Sequence, residues 1–172
     1  AAAIARLSAA MSVDDWKRIA DLLNRRGAVL KRRGVRLFYH NHNLEFRPVE
    51  NTTPLHLLIE NTDPGLVDFE LDAGWVVAAG HDPIALLRRH HGRFRLMHVK
   101  DVGRATVPNF AMEQVSAPVG EGMIRWDKLI PAARRAGVDQ FYVEQEPPFT
   151  GPRIDSAAAS ARFLLGEARP VS

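Results

Sequence analysis

Four short β-prone runs alternate with helix-patterned segments along this chain, and no two runs are joined by a hairpin signal. That order calls for a parallel sheet whose strands are connected by helical crossovers. The first helix is expected over 12–33. Ser12-x-x-Asp15 has the form of a capping box with Asp in place of the usual Glu, and Trp16, Ile19, Ala20, Leu23, Gly27 and Leu30 recur at helical spacing. Gly34 supplies its stop. Strands are expected over 35–40, 67–72, 94–98 and 141–144, and further helices over 54–59, 83–89, 126–136 and 154–165. Residues 101–123, rich in Gly and Pro, read as a long loop, and loops of that length in compact domains are usually functional. Residues 1–11 read as the tail of whatever precedes the first helix. No linker divides the chain, so 1–172 is expected to be one unit.

Composition narrows the chemistry. The 172 residues are 46% hydrophobic and 25% charged, an ordinary globular mixture, with a mild net charge of +3. The arginines fall mostly in pairs on presumed helix surfaces rather than in a basic stripe with stacking aromatics, so no nucleic-acid partner is expected. There is no cysteine, which removes disulfides and thiolate ligands and leaves His, Asp and Glu to hold any metal. No apolar run approaches the length of a membrane span, and the Ala-rich start lacks the pattern of a secretion signal. A cytoplasmic protein is expected.

Each expected strand ends, at its C-terminal end, in groups that bind metals or move protons. The first gives His40-Asn41-His42 and then Glu45, and the second gives Asp72. The third gives His98 followed by Lys100-Asp101, the fourth Glu144-Gln145-Glu146. Ligands bind at that edge of barrels and open α/β sheets. Oxygen and imidazole donors from separate strands suit Mn, Mg, Co or Zn. Each residue also has a plainer reading. Asp72 can cap a turn at Ala73-Gly74, His98 can be a buried hydrogen-bonded histidine, and Lys100 and Asp101 can pair with each other. Trp75 can be packing rather than a platform for a sugar face. Glu144, ending an apolar run, needs a cation or a donor. His40 and His42 share one face of an extended chain. The other histidines, His56, His81, His90 and His91, read as surface.

A set of segments in this order resembles the sugar phosphate isomerase/epimerase family of xylose-isomerase-like TIM barrels, the AP-endonuclease-2 superfamily. They are Tyr39-His40-Asn41-His42-Asn43-Leu44-Glu45-Phe46, Phe69-Glu70-Leu71-Asp72-Ala73-Gly74-Trp75, Ala79-Gly80-His81-Asp82-Pro83, Leu96-Met97-His98-Val99-Lys100-Asp101, Val119-Gly120-Glu121-Gly122 and Tyr142-Val143-Glu144-Gln145. The likeness runs from about residue 12 to 165. It implies a (β/α)8 TIM barrel of which this chain carries the C-terminal half, about four βα units, the N-terminal half being absent. Such a half exposes two parallel edges, so a truncated product or a half-barrel paired with another copy is expected, with a homo-oligomer as the assembly.

The resemblance implies a divalent metal held by Glu45, Asp72, His98 and Glu144. It implies Glu144, Glu45, His42 and Lys100 as catalytic groups, and His40, Trp75 and Asp101 as contacts to a small carbohydrate. The implied reaction is sugar, sugar phosphate or inosose isomerisation or epimerisation, by proton transfer next to a carbonyl through an enediolate. Alternatives are a dehydratase or keto-glycoside lyase on the same site, a zinc endonuclease at abasic DNA, and a non-catalytic half-barrel.

Overall fold

The computed structural model describes residues 2–149 and 151–166. Its order is α1 (Ala2–Ala9), α2 (Val13–Lys31), β1 (Leu37–His40), a 3-10 turn (Leu44–Phe46), α3 (Pro54–Asn61), β2 (Val67–Asp72), α4 (Ala73–Ala78) and α5 (Pro83–Arg89). Then follow β3 (Phe94–Val99), β4 (Asp101–Val102), β5 (Ser116–Ala117), α6 (Trp126–Ala136), β6 (Gln140–Val143) and α7 (Arg153–Leu164). β1, β2, β3 and β6 form a parallel sheet in that order, as the alternation requires. Among the described residues, the outer edges of β1 and β6 have no neighbouring strand.

Alternation along each strand sorts the side chains into two faces. On β2, Val67, Phe69 and Leu71 are fully buried and belong to the core with Leu55 and Leu58 of α3, Trp16 and Ala20 of α2, Leu87 of α5 and Leu129 and Ala133 of α6. The intervening Asp68, Glu70 and Asp72 lie on the opposite face. The register staggers the strand ends. His40 sits opposite Glu70, Asp72 opposite His98, and His98 opposite Tyr142. A polar residue at the end of one strand is therefore level with a residue one or two positions short of the end of the next.

Ser12 caps α2 as its spacing predicts. Its hydroxyl accepts from the Asp15 amide, and the Asp15 carboxylate accepts in return from the Ser12 amide. Four departures from the sequence reading stand out. Residues 2–9 are helical, although their Ala-rich composition carries little amphipathic signal. α4 follows Asp72 at once, where a turn at Ala73-Gly74 was one of two readings. A 3-10 turn forms after His42. Within 101–123, β4 and β5 pair antiparallel, Asp101 opposite Ala117, a hairpin-like ribbon whose two-residue strands are too short to show alternation. No helix among the described residues is long and apolar enough to cross a membrane.

Candidate metal centre

The sequence His40-Asn41-His42-Asn43 divides its labour by residue type. Asn41 is buried and stitches β1 to β2: its side-chain oxygen accepts from the Asp72 amide at 3.1 Å. Asn43, also buried, ties the strand end to the long loop, donating to the Asn109 carbonyl at 3.0 Å and accepting from the Met112 amide at 3.0 Å. The two imidazoles are left to face the site, with ring centroids 4.9 Å apart and edge to face. The His42 ring also lies 5.7 Å from that of Trp75.

Asp72 does two jobs at once. Its Oδ1 accepts from the Trp75 amide at 2.9 Å and caps α4, the plainer role the sequence allowed. Its Oδ2 is buried without an aligned hydrogen bond. That oxygen lies 3.5 Å from His98 Nδ1 and 3.9 Å from His40 Nε2. His98 Nδ1 is in turn 2.9 Å from Glu144 Oε2. These close approaches lack hydrogen-bond alignment, so His98 Nδ1 and Glu144 Oε2 are also buried polar atoms without a partner.

One donor atom from each of Asp72, His98 and Glu144 falls within 4.8 Å of the others. Donors about 2.0–2.2 Å from a shared ion sit roughly 3–3.5 Å from one another. The His98–Glu144 and His98–Asp72 separations match that spacing. Two hard carboxylates and an imidazole at that spacing, none with an aligned hydrogen bond to these atoms, fit a divalent ion.

Lys100 brings a positive charge to the same oxygens. It is 1% exposed, and its Nζ lies 3.1 Å from Asp72 Oδ2, 2.9 Å from Glu144 Oε2 and 3.0 Å from Glu146 Oε2, with the Trp75 ring centroid 4.8 Å away. It does not pair with Asp101. Gly74 makes room for the stem: a Cβ there would sit 2.6 Å from Lys100 Cγ.

Electrostatics follow from crowding. Burial works against charge on His98, but Asp72, Glu144 and Glu70 outweigh it and hold the imidazole at about 10. His98 first, then Lys100, keeps Glu144 well below the usual carboxylate range despite its partial burial. Burial opposes the Lys100 charge, and Asp72, Glu144 and Glu146 more than restore it. His40 is pulled down, chiefly by burial. With Glu70 and Glu146 included, four carboxylates surround one ammonium and one imidazolium, an excess of negative charge that a dication would balance.

Two sequence expectations do not match this geometry. Glu45, expected as the first metal ligand and a catalytic group, is turned into the 3-10 turn. Its carboxylate accepts from Tyr39 Oη and from the His42 amide, both at 2.8 Å, and it does not lie with the Asp72, His98 and Glu144 donors. Burial raises Glu45 while those two donors pull it back, and burial and Glu45 together raise Tyr39 well above its ordinary value. Glu45 thus fixes the backbone that carries His42.

Asp101, expected as a substrate contact, is 1% exposed and fully occupied by the loop. It accepts from the amides of Val102, Gly120, Gly122 and Ile124 and from Trp126 Nε1. Gly122 permits this, since a Cβ there would sit 2.1 Å from Asp101 Oδ1.

The structure adds residues the sequence reading passed over. Glu70 lies between His40 and His98, at 3.3 Å from each, and its place two residues before Asp72 on an alternating strand was the available signal. Gln114 had none. Its amide nitrogen and oxygen are buried without partners, and with Trp75, Met112, Glu113, Glu146 and Pro147 it lines a cleft of about 360 Å³ beside the cluster. Of the four remaining histidines, His81 and His91 are exposed, whereas His56 and His90 are half-buried with rings 5.0 Å apart.

Residues 5–166 match the family model described as a xylose isomerase-like TIM barrel. The chain belongs to that family. Inosose dehydratase from Bacillus anthracis is 25% identical over 168 residues, covering 90% of this chain and 55% of that protein. Inosose dehydratase from Geobacillus thermodenitrificans is 31% identical over 153 residues, 81% of this chain and 50% of its own length. A sugar phosphate isomerase/epimerase from Parabacteroides distasonis superposes with a TM-score of 0.74 at 28% identity, over 94% of this chain and 55% of that one. The chain therefore spans about half the length of these xylose isomerase-like relatives.

Proposed function

We propose that this chain carries the metal-binding side of an enzyme that moves a proton next to a carbonyl of a small polyhydroxylated substrate, as a sugar isomerase or epimerase. The observation that carries this is the meeting of Asp72 Oδ2, His98 Nδ1 and Glu144 Oε2, buried atoms without an aligned hydrogen bond, at the C-terminal strand ends. Asp72, His98 and Glu144 would hold a divalent ion of the Mn, Mg, Co or Zn kind. Bound there, the ion supplies Lewis-acid charge to a carbonyl oxygen and its neighbouring hydroxyl.

The chain's own groups supply the rest. His42, its ring packed between those of His40 and Trp75 and its backbone pinned by Glu45, would take or return a proton on carbon. Lys100, charged and buried, steadies negative charge developing on substrate oxygen. Trp75 and Gln114 line the cleft, offering an apolar wall for a sugar ring and an amide for its hydroxyls. A small sugar, sugar phosphate or inosose is the substrate class.

Dehydration is the second reading. The specific support is that the two curated relatives described above are named inosose dehydratases. The first step is the same removal of a proton beside a carbonyl. The outcomes differ in whether a proton returns to that carbon (epimerisation) or to the former carbonyl carbon (isomerisation), or a β-hydroxyl leaves as water with a proton from an acid such as Lys100. Incubating the full-length protein with Mn(II) or Co(II) and a panel of ketoses and inososes in deuterated water separates them. Deuterium at the carbon next to the carbonyl supports isomerase or epimerase chemistry, and loss of water supports the dehydratase. Absence of both, with metal present and bound, sinks the proposal.

A further inference from the structure

The cleft beside the ion cluster has a charge and a hydrogen-bonding character of its own. At about 360 Å³ it lies at the small end of small-molecule pockets, roughly 300–1,000 Å³. Two carboxylates, Glu113 and Glu146, stand in its wall with the Trp75 ring and the Gln114 amide, and among the described residues no arginine or lysine lines it. The Lys100 ammonium is 1% exposed and already held by Asp72, Glu144 and Glu146.

Barrel enzymes commonly hold a phosphate on backbone amides of the loops at this edge of the sheet. In the 101–123 loop, the amides of Val102, Gly120, Gly122 and Ile124 do converge, but the Asp101 carboxylate takes all four. An anion of the protein's own fills that nest.

Gln114 supplies the opposite kind of contact. Neither its Nε2 nor its Oε1 has a partner. Its neighbours are fastened through their backbones. Asn109 Oδ1 accepts from the Glu113 amide at 3.3 Å, Asn109 Nδ2 donates to the Glu113 carbonyl at 2.9 Å, and the Val115 amide donates to Thr106 Oγ1 at 3.1 Å. A carboxamide pairs an N–H donor with an accepting oxygen in one plane. Adjacent hydroxyls of a polyol match it, one accepting from Nε2 while the next donates to Oε1. A phosphate ester dianion only accepts, so it would satisfy Nε2 and set negative oxygen against Oε1, Glu113 and Glu146.

We infer that this cleft selects the hydroxyl-bearing end of an unphosphorylated polyhydroxy ketone, with Gln114 reading two neighbouring hydroxyls and Glu113 and Glu146 turning phosphate esters away. This rests on the sugar-processing reading above and narrows it to neutral sugars and inososes.

The experiment measures binding rather than turnover. Full-length protein with saturating Mg(II) is titrated with D-fructose, D-ribulose and scyllo-inosose, and with fructose 6-phosphate and ribulose 5-phosphate, by ligand-observed NMR. A neutral ketone is expected to bind, and the phosphate esters to bind roughly 10-fold or more weakly, as like charges at close range require. Gln114→Leu removes the amide at similar size and is expected to weaken the neutral ketone roughly 2–10-fold, the range of one hydrogen bond. Glu113→Lys changes an exposed side chain and leaves its backbone bonds intact, and it is expected to tighten the phosphate esters. A damaged fold would weaken both classes and could tighten neither. Equal or tighter binding of the phosphate esters by the wild type overturns the inference, as does binding of neither class. Unchanged affinities in both variants overturn it too. The reaction itself is scored by the deuterium experiment. Neutral ketones that bind without exchange or loss of water sink the proposed reaction and leave this selectivity standing, and exchange confined to phosphate esters does the reverse.

Discussion

Asp101 is the residue whose role the structure changes most, and replacing it with asparagine tests the new role directly. Oδ1 accepts from the Val102 amide at 2.9 Å and the Ile124 amide at 3.2 Å. Oδ2 accepts from the Gly120 amide at 2.9 Å, the Gly122 amide at 3.2 Å and Trp126 Nε1 at 2.8 Å. Whichever way an asparagine amide is turned, its NH₂ faces at least two N–H donors. At least two charge-assisted bonds are lost, each contributing about 1.5–3 kcal/mol, so destabilisation of about 3–6 kcal/mol is expected. That is a large share of the roughly 5–15 kcal/mol that holds an ordinary domain together. Urea unfolding followed by circular dichroism measures it, as a fall in midpoint at unchanged slope. A residue serving only to touch substrate would leave the midpoint in place and alter turnover alone. A loss below about 1 kcal/mol would refute the anchoring role and return Asp101 to the substrate side.

Three further outcomes follow from the same geometry. Asp72→Asn keeps an oxygen to cap α4 but removes the charge facing His98 and Lys100. Divalent-ion affinity by calorimetry should fall roughly 100-fold or more, since a unit charge pair at 4 Å contributes about 4 kcal/mol at an effective dielectric near 20. Gly74→Ala puts a methyl 2.6 Å from Lys100 Cγ and 2.9 Å from the Lys100 carbonyl, and should cost about 1–3 kcal/mol of stability while weakening the ion site. His90, held down to about 4 chiefly by burial and then by His56, takes up its proton in the unfolded chain near 6.5 but not in the folded one. Stability should therefore fall as pH drops from 6.5 through 4, and His90→Gln should flatten that part of the urea-midpoint profile.

The strand order and the convergence of Asp72, His98 and Glu144 were legible because they rest on signals that survive in one dimension. Alternation on β2 puts Asp72 on the face opposite Val67, Phe69 and Leu71, and the end of a strand is visible as the end of an apolar run. Glu144 after Phe141-Tyr142-Val143 and His98 after Leu96-Met97 are found the same way. What failed was everything that depends on where a chain turns after the strand. Glu45 has the right charge five residues past His40, but the 3-10 turn closes on it and Tyr39 Oη claims its oxygen. Asp101 has the right charge after Lys100, but β4 folds back and five N–H groups converge on it. Spacing along the chain does not encode either event.

Register explains the converse miss. Glu70 looks too far from the strand end to take part. The parallel sheet is staggered, however, so the residue level with His40 is Glu70, and the residue level with His98 is Asp72. The stagger brings an inner carboxylate of β2 against imidazoles from both neighbouring strands. It follows that the chemistry-bearing set of such a half-barrel is not the last residue of each strand. It is the diagonal row that the shear of the sheet selects, and on that row Glu70 and Asp72 flank the histidines from two sides. Sliding β1 by two residues would bring His40 level with Asp72 and leave Glu70 with a single imidazole.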